Sequence, residues 1–366
     1  MDRTPPDRLL SLDFLRGLIM VLLVSESTGL FEHLFELSQG TFAESLFIQF
    51  FHHPWNGLRF WDLIQPGFML MAGTSMALSL HKQTEAGIAW NKQFIKILKR
   101  CGLLFFWGVL DYAVRPKGLS FELWDVLTQL SFTTLIAFLI FRFSATTQIG
   151  ISIGLLLFTE FIYRYTNLPG FNQPFVDQHN VGNYIDLLLM NKVNNGGWVA
   201  INCLPTAAHT IWGALAGKLL LSTKDNAHKI NAVLVAGVMC LAVGYFMDWT
   251  ITPIIKRIAT SSFTLASGGW CLIALAICYW WIDIEGHKQK LFFFTVVGMN
   301  SIFIYLFIEI VASRWFNGYV GAITNGLMML ASVPTQLMLV ITSLCIFSCE
   351  WLLCYWLYKK NIFFKL

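Results

Sequence analysis

The sequence predicts an all-α polytopic membrane protein: a bundle of about ten transmembrane helices with one short re-entrant or interfacial helix. Three observations predict it. Of 366 residues, 56% are hydrophobic and 13% are charged, with a mean hydropathy of +0.61. A soluble domain of that size has too little interior to hide so much apolar surface. The apolar residues also gather in runs of about 20, the length a helix needs to cross ~30 Å of hydrocarbon, where backbone must pair with itself.

Ten stretches qualify, and each is read in chain order. The run 9–29 follows a short charged segment and lacks a small-residue cleavage site, so it reads as a retained first span rather than a signal peptide. It opens as SLDFLRG, in which Asp13 and Arg16 stand three apart and can neutralise each other. The functional alternative is that Arg16, always charged and fork-shaped, meets a phosphate or orients a donor from the cytoplasmic side. Gly17 suits close helix packing. Glu26 and Ser27 lie at the outer end. Residues 42–51 are apolar but too short to span, hence the interfacial or re-entrant helix. The second span, 60–81, contains Pro66 and Gly67, expected to break the helix and free a carbonyl inside the bundle.

Spans follow at 95–115, 122–142 (with Thr128 and Gln129), 147–165, and 198–221 (with Asn202, Thr206 and His209 as interhelical bonds). A long polar loop, 166–197, separates the last two. Further spans are 229–249, 262–283, 291–312 and 334–358. Lys256 and Arg257 precede the eighth, suited to an acidic group or lipid headgroups. The ninth holds Gly298–Ser301 (GMNS), with Asn300 and Ser301 read as packing plus a hydrogen bond or as substrate contacts. No repeat or linker divides the chain, so 1–366 reads as one domain.

Of the 25 Lys and Arg residues, Arg16 lies within the first span. With the N-terminus inside, sixteen others, from Arg3 and Arg8 through Lys96, Lys99 and Arg100 to Lys365, fall on the cytoplasmic side. Eight fall outside: Arg59, Arg115, Lys117, Arg164, Lys192, Lys256, Arg257 and Arg314. The excess marks the cytoplasmic face, and ten spans return the C-terminus there. No basic arm points to nucleic acid. The eight cysteines all sit in apolar runs, which argues against disulfides, and no CxxC pair argues for a metal.

The densest polar cluster is His52–Pro66, HHPWNGLRFWDLIQP, placed outside by the charge count. Histidine exchanges protons near neutral pH and can also accept an acyl group, so His52 and His53 are candidate catalytic or binding groups. Adjacent histidines point different ways on a helix, and no carboxylate cluster accompanies them, so no metal is expected. Trp55, Asn56 and Trp61 are the residue types that hold a sugar: an indole covers the apolar pyranose face and an amide bonds its hydroxyls. A single such Trp is equally suited to an interfacial belt. Asp62 can fix a histidine tautomer or bind an ammonium.

The order of these motifs resembles the heparan-α-glucosaminide N-acetyltransferase family of transmembrane acyltransferases, including bacterial members linked to amino-sugar use. The resemblance is carried by RLLSLDFLRG (8–17), HHPWNGLRFWDLIQPGFMLMAG (52–73), GWVAINCLPTAAHTIWGALAGKLLL (197–221), GMNSIFIY (298–305) and LYKKNIFFKL (357–366). It implies an acetyl-CoA-dependent N- or O-acyltransferase in a bacterial inner membrane. Acetyl-CoA would enter from the cytoplasm, and a sugar or amino-sugar acceptor would bind on the far side. The histidine three residues before the WNG tryptophan is His52, acting either as base or as acyl carrier. Asp62, Glu26 or Ser27 would orient it, and Arg16, with Asp13, Lys99 and Arg100 nearby, would meet the CoA phosphates. Trp55, Asn56, His53, Trp61, Asn300, Ser301 and Lys256 complete the acceptor side.

Two positions depart from the family's pattern. Ser27 stands where an Asn is usual, and Thr128–Gln129 where a Gln-Arg pair is usual. Exposed aromatic faces are compatible with a homodimer. The competing class is an amino-sugar permease using the same polar residues, although no inverted repeat or paired broken helices are legible in the sequence. A third is a scaffold that has lost its chemistry.

Overall fold

The computed structural model describes residues 9–115 and 118–364, and among these the extended regular elements are all helices, joined by irregular segments. Arg3, Arg8, Lys117 and Lys365, counted above for orientation, lie outside the described residues. In chain order the helices are α1 (Leu10–Ser27), α2 (Leu30–Ser38), α3 (Ala43–Phe47), α4 (Ile64–Glu85), α5 (Trp90–Ala113), α6 (Val126–Leu139), α7 (Ala145–Tyr165) and α8 (Val181–Met190). There follow α9 (Cys203–Leu221), α10 (Asn226–Thr250), α11 (Ser261–Cys278), α12 (Phe292–Gly298), α13 (Ser301–Phe307), α14 (Asn317–Leu330) and α15 (Thr335–Lys359). Strand geometry is limited to one isolated antiparallel bridge, Asn56 with Ile255.

A helix lies within each of the ten predicted segments, yet fewer pass as spans. Among the described residues, five helical runs are long and apolar enough to cross a bilayer: Phe60–Glu85, Ala145–Tyr165, Asn226–Thr250, Ser261–Ile284 and Thr335–Lys359. Two bent pairs raise the number to seven: α1 with α2 (69°), and Phe292–Gly298 with Ser301–Leu330 (73°). The shortfall has visible causes. Helix α5 carries Lys92, Lys96, Lys99 and Arg100 in its first half, and α6 has 14 residues. Helix α9 interrupts its apolar residues with Pro205, His209 and Lys218. The expected break at Pro66 is also absent. Pro66 is the third residue of α4, directly after a 3₁₀ turn at Phe60–Leu63, and a first-turn proline lacks only an N–H that the helix does not need.

The outward surface fits a lipid solvent. Only 17% of the apolar window of α10 is buried, and Val235, Val238, Met239, Phe246 and Trp249 face out. Apolar area on that scale is not left to water.

The chain divides into two compact units, one formed up to Phe51 and from Cys278 onward, the other by His52–Ile277. In the first, α1 packs on α12: a Cβ on Gly17 would fall 2.2 Å from the Phe294 carbonyl oxygen. No α1 side chain caps its own first turn. Instead Asp283 accepts from the Leu10 and Ser11 N–H groups at 2.9 and 3.2 Å. The short 43–50 segment is helical, α3 running into a 3₁₀ turn at Ile48–Phe50.

In the second unit the central pair is α4 and α9. Cβ atoms added at Gly73 and Gly213 would each fall 2.0 Å from a facing carbonyl oxygen, of Thr210 and Leu70 respectively. Thr74 Oγ1 donates across the contact to the Gly213 carbonyl at 3.0 Å. Small residues thus bring two backbones together, as membrane helices require when apolar packing has no water to expel. Gly213→Ala should therefore lower stability in detergent by about 1–3 kcal/mol through overpacking. The control is Gly102→Ala on α5, where nothing lies within 4 Å of the added carbon; it should be neutral or stabilising by up to ~1 kcal/mol. Thermal unfolding of both variants beside the parent checks the pair.

Candidate functional site

All the geometry of this site lies within the second unit. Residues 52–59 form an irregular strip ahead of α4, held against the strip 253–260 between α10 and α11. Gly57 N–H donates to the Ile254 carbonyl at 2.8 Å, next to the Asn56–Ile255 bridge. Gly57 has φ +145°, and a Cβ there would meet the His53 ring at 2.7 Å, so glycine is required. Ile254, Ile255 and Ile258 are fully buried, which fixes the opposite strip.

Asp62 is the centre of the arrangement. It is 0% exposed and its two oxygens divide their work. Oδ2 accepts from the backbone N–H groups of Arg59 (2.9 Å) and His53 (3.2 Å), closing the strip onto the helix start. Oδ1 lies 2.9 Å from His52 Nδ1 and 3.7 Å from Lys256 Nζ. Lys256 Nζ is also 3.0 Å from that same Nδ1. One ring nitrogen cannot donate to the carboxylate and accept from the ammonium at once. An ionised carboxylate only accepts, so the proton belongs on Nδ1, facing Asp62. Lys256 then acts as the counter-ion to Asp62, and Nε2 is the nitrogen that keeps the lone pair. His52 keeps 38% of its side chain exposed, so the ring is reachable.

One aromatic and two basic neighbours complete the wall. The Trp198 ring meets His52 edge to face at 5.5 Å between centroids and carries Lys256 Nζ 5.3 Å from its own centroid. Arg257 Nη1 donates to the Gly196 carbonyl at 2.5 Å, while its own carbonyl accepts from Asn202 Nδ2 at 2.6 Å. Arg59 Nη1 binds the His52 carbonyl at 3.0 Å. Trp198 was missed from the sequence; its signal, a lone Trp after the two glycines of NNGGW, is visible only once the loop is known to return to His52.

The remaining predicted residues are distributed as follows. Trp55 is half-buried, with its indole N–H on the Phe175 carbonyl at 2.7 Å, and Asn56 is exposed. His53 is half-buried, and Trp61 is 4% exposed and packed into the protein. Lys99 is exposed and Arg100 half-buried on α5. In the other unit, Asp13 and Arg16 form the expected ion pair at 3.8 Å. Ser27 Oγ donates to its own helix at the Val24 carbonyl (2.9 Å), and Glu26 is exposed. Asn300 holds the C-terminal segment, giving Nδ2 to the Ile362 carbonyl and taking the Phe364 N–H, both at 3.0 Å. Ser301 opens α13. Thr128 bonds the carbonyls of Leu123 and Asp125, and Gln129 accepts from Gln65 Nε2.

No protein-family model matches the chain. One curated relative is heparan-alpha-glucosaminide N-acetyltransferase of Mus musculus, 31% identical over 127 residues. That match takes in 34% of this chain but 16% of the relative, so the chain spans only a minor part of the relative's length. The relationship is distant.

The electrostatics set a definite protonation state. Partial burial, then the Lys256 ammonium, hold the His52 imidazole below its usual pKa of 6.5, against the opposing pull of Asp62. The neutral ring is favoured by the fold, so its contribution to stability is complete above pH 6.5 and is lost as pH falls through the lowered value. Lys256→Met removes a depressing charge and should raise the His52 pKa, whereas Asp62→Asn removes the raising partner and should lower it. Titration of the His52 ring by nuclear magnetic resonance in micelles reads both directions. Shifts of the same sign in the two variants would refute the assignment.

Proposed function

We propose that this protein is a membrane acyltransferase that moves an acetyl group from cytoplasmic acetyl-CoA to the amine or hydroxyl of a sugar on the extracytoplasmic side. One observation carries the reading: a reachable histidine whose Nδ1 faces a fully buried aspartate, leaving Nε2 as the basic nitrogen. Acyl transfer needs that group, because the acceptor must lose a proton as its nitrogen or oxygen attacks the thioester carbon. The distant match to an N-acetyltransferase and the run of apolar helices support the same class.

In this mechanism His52 Nε2 takes the acceptor proton while the acceptor attacks the thioester carbonyl. The tetrahedral centre then expels the CoA thiolate, which leaves with a proton. Asp62 holds the ring and stabilises imidazolium, and Lys256 balances Asp62 between turnovers. The alternative course, in which Nε2 itself takes the acetyl group and passes it on, uses the same residues. Arg16 is the candidate for the CoA phosphates, with Lys99 and Arg100. Glu26, Ser27, Asn300 and Ser301 are retained as candidates for the remainder of the substrate path.

A permease is the second reading, favoured by the two helix pairs bent by 69° and 73°, since many transporters bind at broken helices. The two readings separate on CoA: an enzyme should melt at higher temperature with CoA bound, and a permease should not respond. For the enzyme, His52→Ala in proteoliposomes should cut acetyl transfer from labelled acetyl-CoA to glucosamine by about 10²–10⁴-fold. Transfer at the parental rate would rule His52 out.

A further inference from the structure

The lysines that keep α5 from passing as a span gather on its outward face. Between Lys82 and Arg100 the chain carries five basic side chains against one acid, Glu85. That acid is taken by His81 Nε2 at 3.2 Å. Lys92, Lys96 and Lys99 stand four and three residues apart, so they share one side of the helix, and all three are exposed. Lys96 Nζ reaches the end of α4 and donates to Gln83 Oε1 at 3.3 Å. Arg142, exposed just beyond α6, has Cζ 5.3 Å from the Trp90 ring centroid and adds a charge beside the start of α5. Among the described residues, no acid pairs with Lys82, Lys92 or Lys99.

The same face continues without a break into apolar surface. Ile95 and Leu98 are exposed between the lysines, and Phe106 is exposed further along the helix. Gly102 stands four residues from Leu98 and four from Phe106. A Cβ there would meet nothing within 4 Å, so an open notch separates the two side chains. From Lys96 to Phe106 is ten residues, or about 15 Å of helix, half the ~30 Å of bilayer hydrocarbon. Charge at one end and an apolar track of that length match one phospholipid, headgroup and then chain. A water-borne polyanion would meet the lysines and leave the track uncovered.

We propose that the outward face of α5 binds an anionic glycerophospholipid, its headgroup held by Lys92 and Lys96 and one acyl chain laid along Ile95, Leu98, Gly102 and Phe106. Lys82 and Arg142 flank the headgroup from the ends of α4 and α6. The net charge of the lipid is what the face selects. A zwitterionic headgroup neutralises its own phosphate, whereas an anionic one supplies the counter-charge that these lysines lack, and polybasic segments at a membrane surface attract such lipids. The site is distinct from the histidine wall, and the proposal does not depend on the acyltransferase reading.

The test is native mass spectrometry of the full-length protein, stripped of lipid in detergent and titrated with phosphatidylglycerol or phosphatidylcholine. Glycerophosphoglycerol, the same headgroup without chains, and CoA serve as competitors. The parent should bind phosphatidylglycerol at least about tenfold more tightly than phosphatidylcholine, and neither competitor should displace it. Lys92→Gln with Lys96→Gln should weaken phosphatidylglycerol by about fivefold per lysine and leave phosphatidylcholine unchanged. The same pair changed to Arg should keep the preference. Lys359→Gln with Lys360→Gln removes equal charge from the end of α15 and should change nothing. Equal affinities for the two lipids in the parent would overturn the proposal, and that comparison decides even where a variant fails to fold. Equal losses from the two lysine pairs would reduce it to a general charge effect and overturn the site. Displacement by glycerophosphoglycerol or CoA would assign the face to a water-borne phosphate and overturn it as well.

Discussion

A carboxylate with no exposure to solvent has to be satisfied entirely by protein, and Asp62 organises its unit by that requirement. An ion removed from water without partners costs several kcal/mol. Here three hydrogen-bond donors and a counter-ion gather on it: two backbone N–H groups, an imidazole and, at 3.7 Å, an ammonium. The backbone donors fold the strip 52–59 over the helix start. The side-chain partners come from His52 and from Lys256, 204 residues away from that histidine in sequence. Removing any one leaves the others around an undercompensated charge, so the loop, the catalytic candidate and the return strip stand or fall together.

The helices make that burial affordable by giving the carboxylate a fixed floor. Asp62 lies in the 3₁₀ turn that feeds α4, and α4 is locked to α9 by backbone approach at Gly73 and Gly213. Helix α9 begins directly after the 196–202 strip that supplies Trp198 and Asn202. Rigid helices therefore fix the bases of both walls, while the chemistry is carried on short irregular segments between them. This division is the common one, because a loop can present polar atoms that a helix interior must consume on its own backbone.

What was legible in the sequence follows the range of the interactions. Helical segments showed because apolar runs are local, and so did the Asp13–Arg16 pair, three residues apart. Their number as spans was less legible: the lysines of α5 and the brevity of α6 count against crossing even where the helix forms. His52 and Asp62 drew notice as members of the polar stretch His52–Pro66 in an apolar chain. Their union with Lys256 and Trp198 was not, since nothing local tells a basic pair before a helix from one that meets headgroups. Pro66 misled for a related reason: its effect depends on its position in the turn, and the start of α4 is set by Asp62. The bonds of Asn300 to the C-terminal segment were not legible, since reading them requires knowing where that end goes.

The charge arrangement also explains why a lysine can sit so close to the histidine without being an obstacle to base chemistry. Lys256 is buried to 6% exposure and lies within 4 Å of both Nδ1 and the carboxylate. Taken with Asp62 it forms a neutral pair, so His52 faces a dipole more than a net charge. That dipole orders the ring with Nδ1–H toward the carboxylate and discourages imidazolium at rest. A proton accepted on Nε2 would therefore be held weakly, which is what the proposed base role of His52 requires. An aspartate alone would hold that proton more firmly, and a lysine alone would repel it. Burial and Lys256 outweigh the pull of Asp62, so the neutral form of the His52 ring is the favoured one.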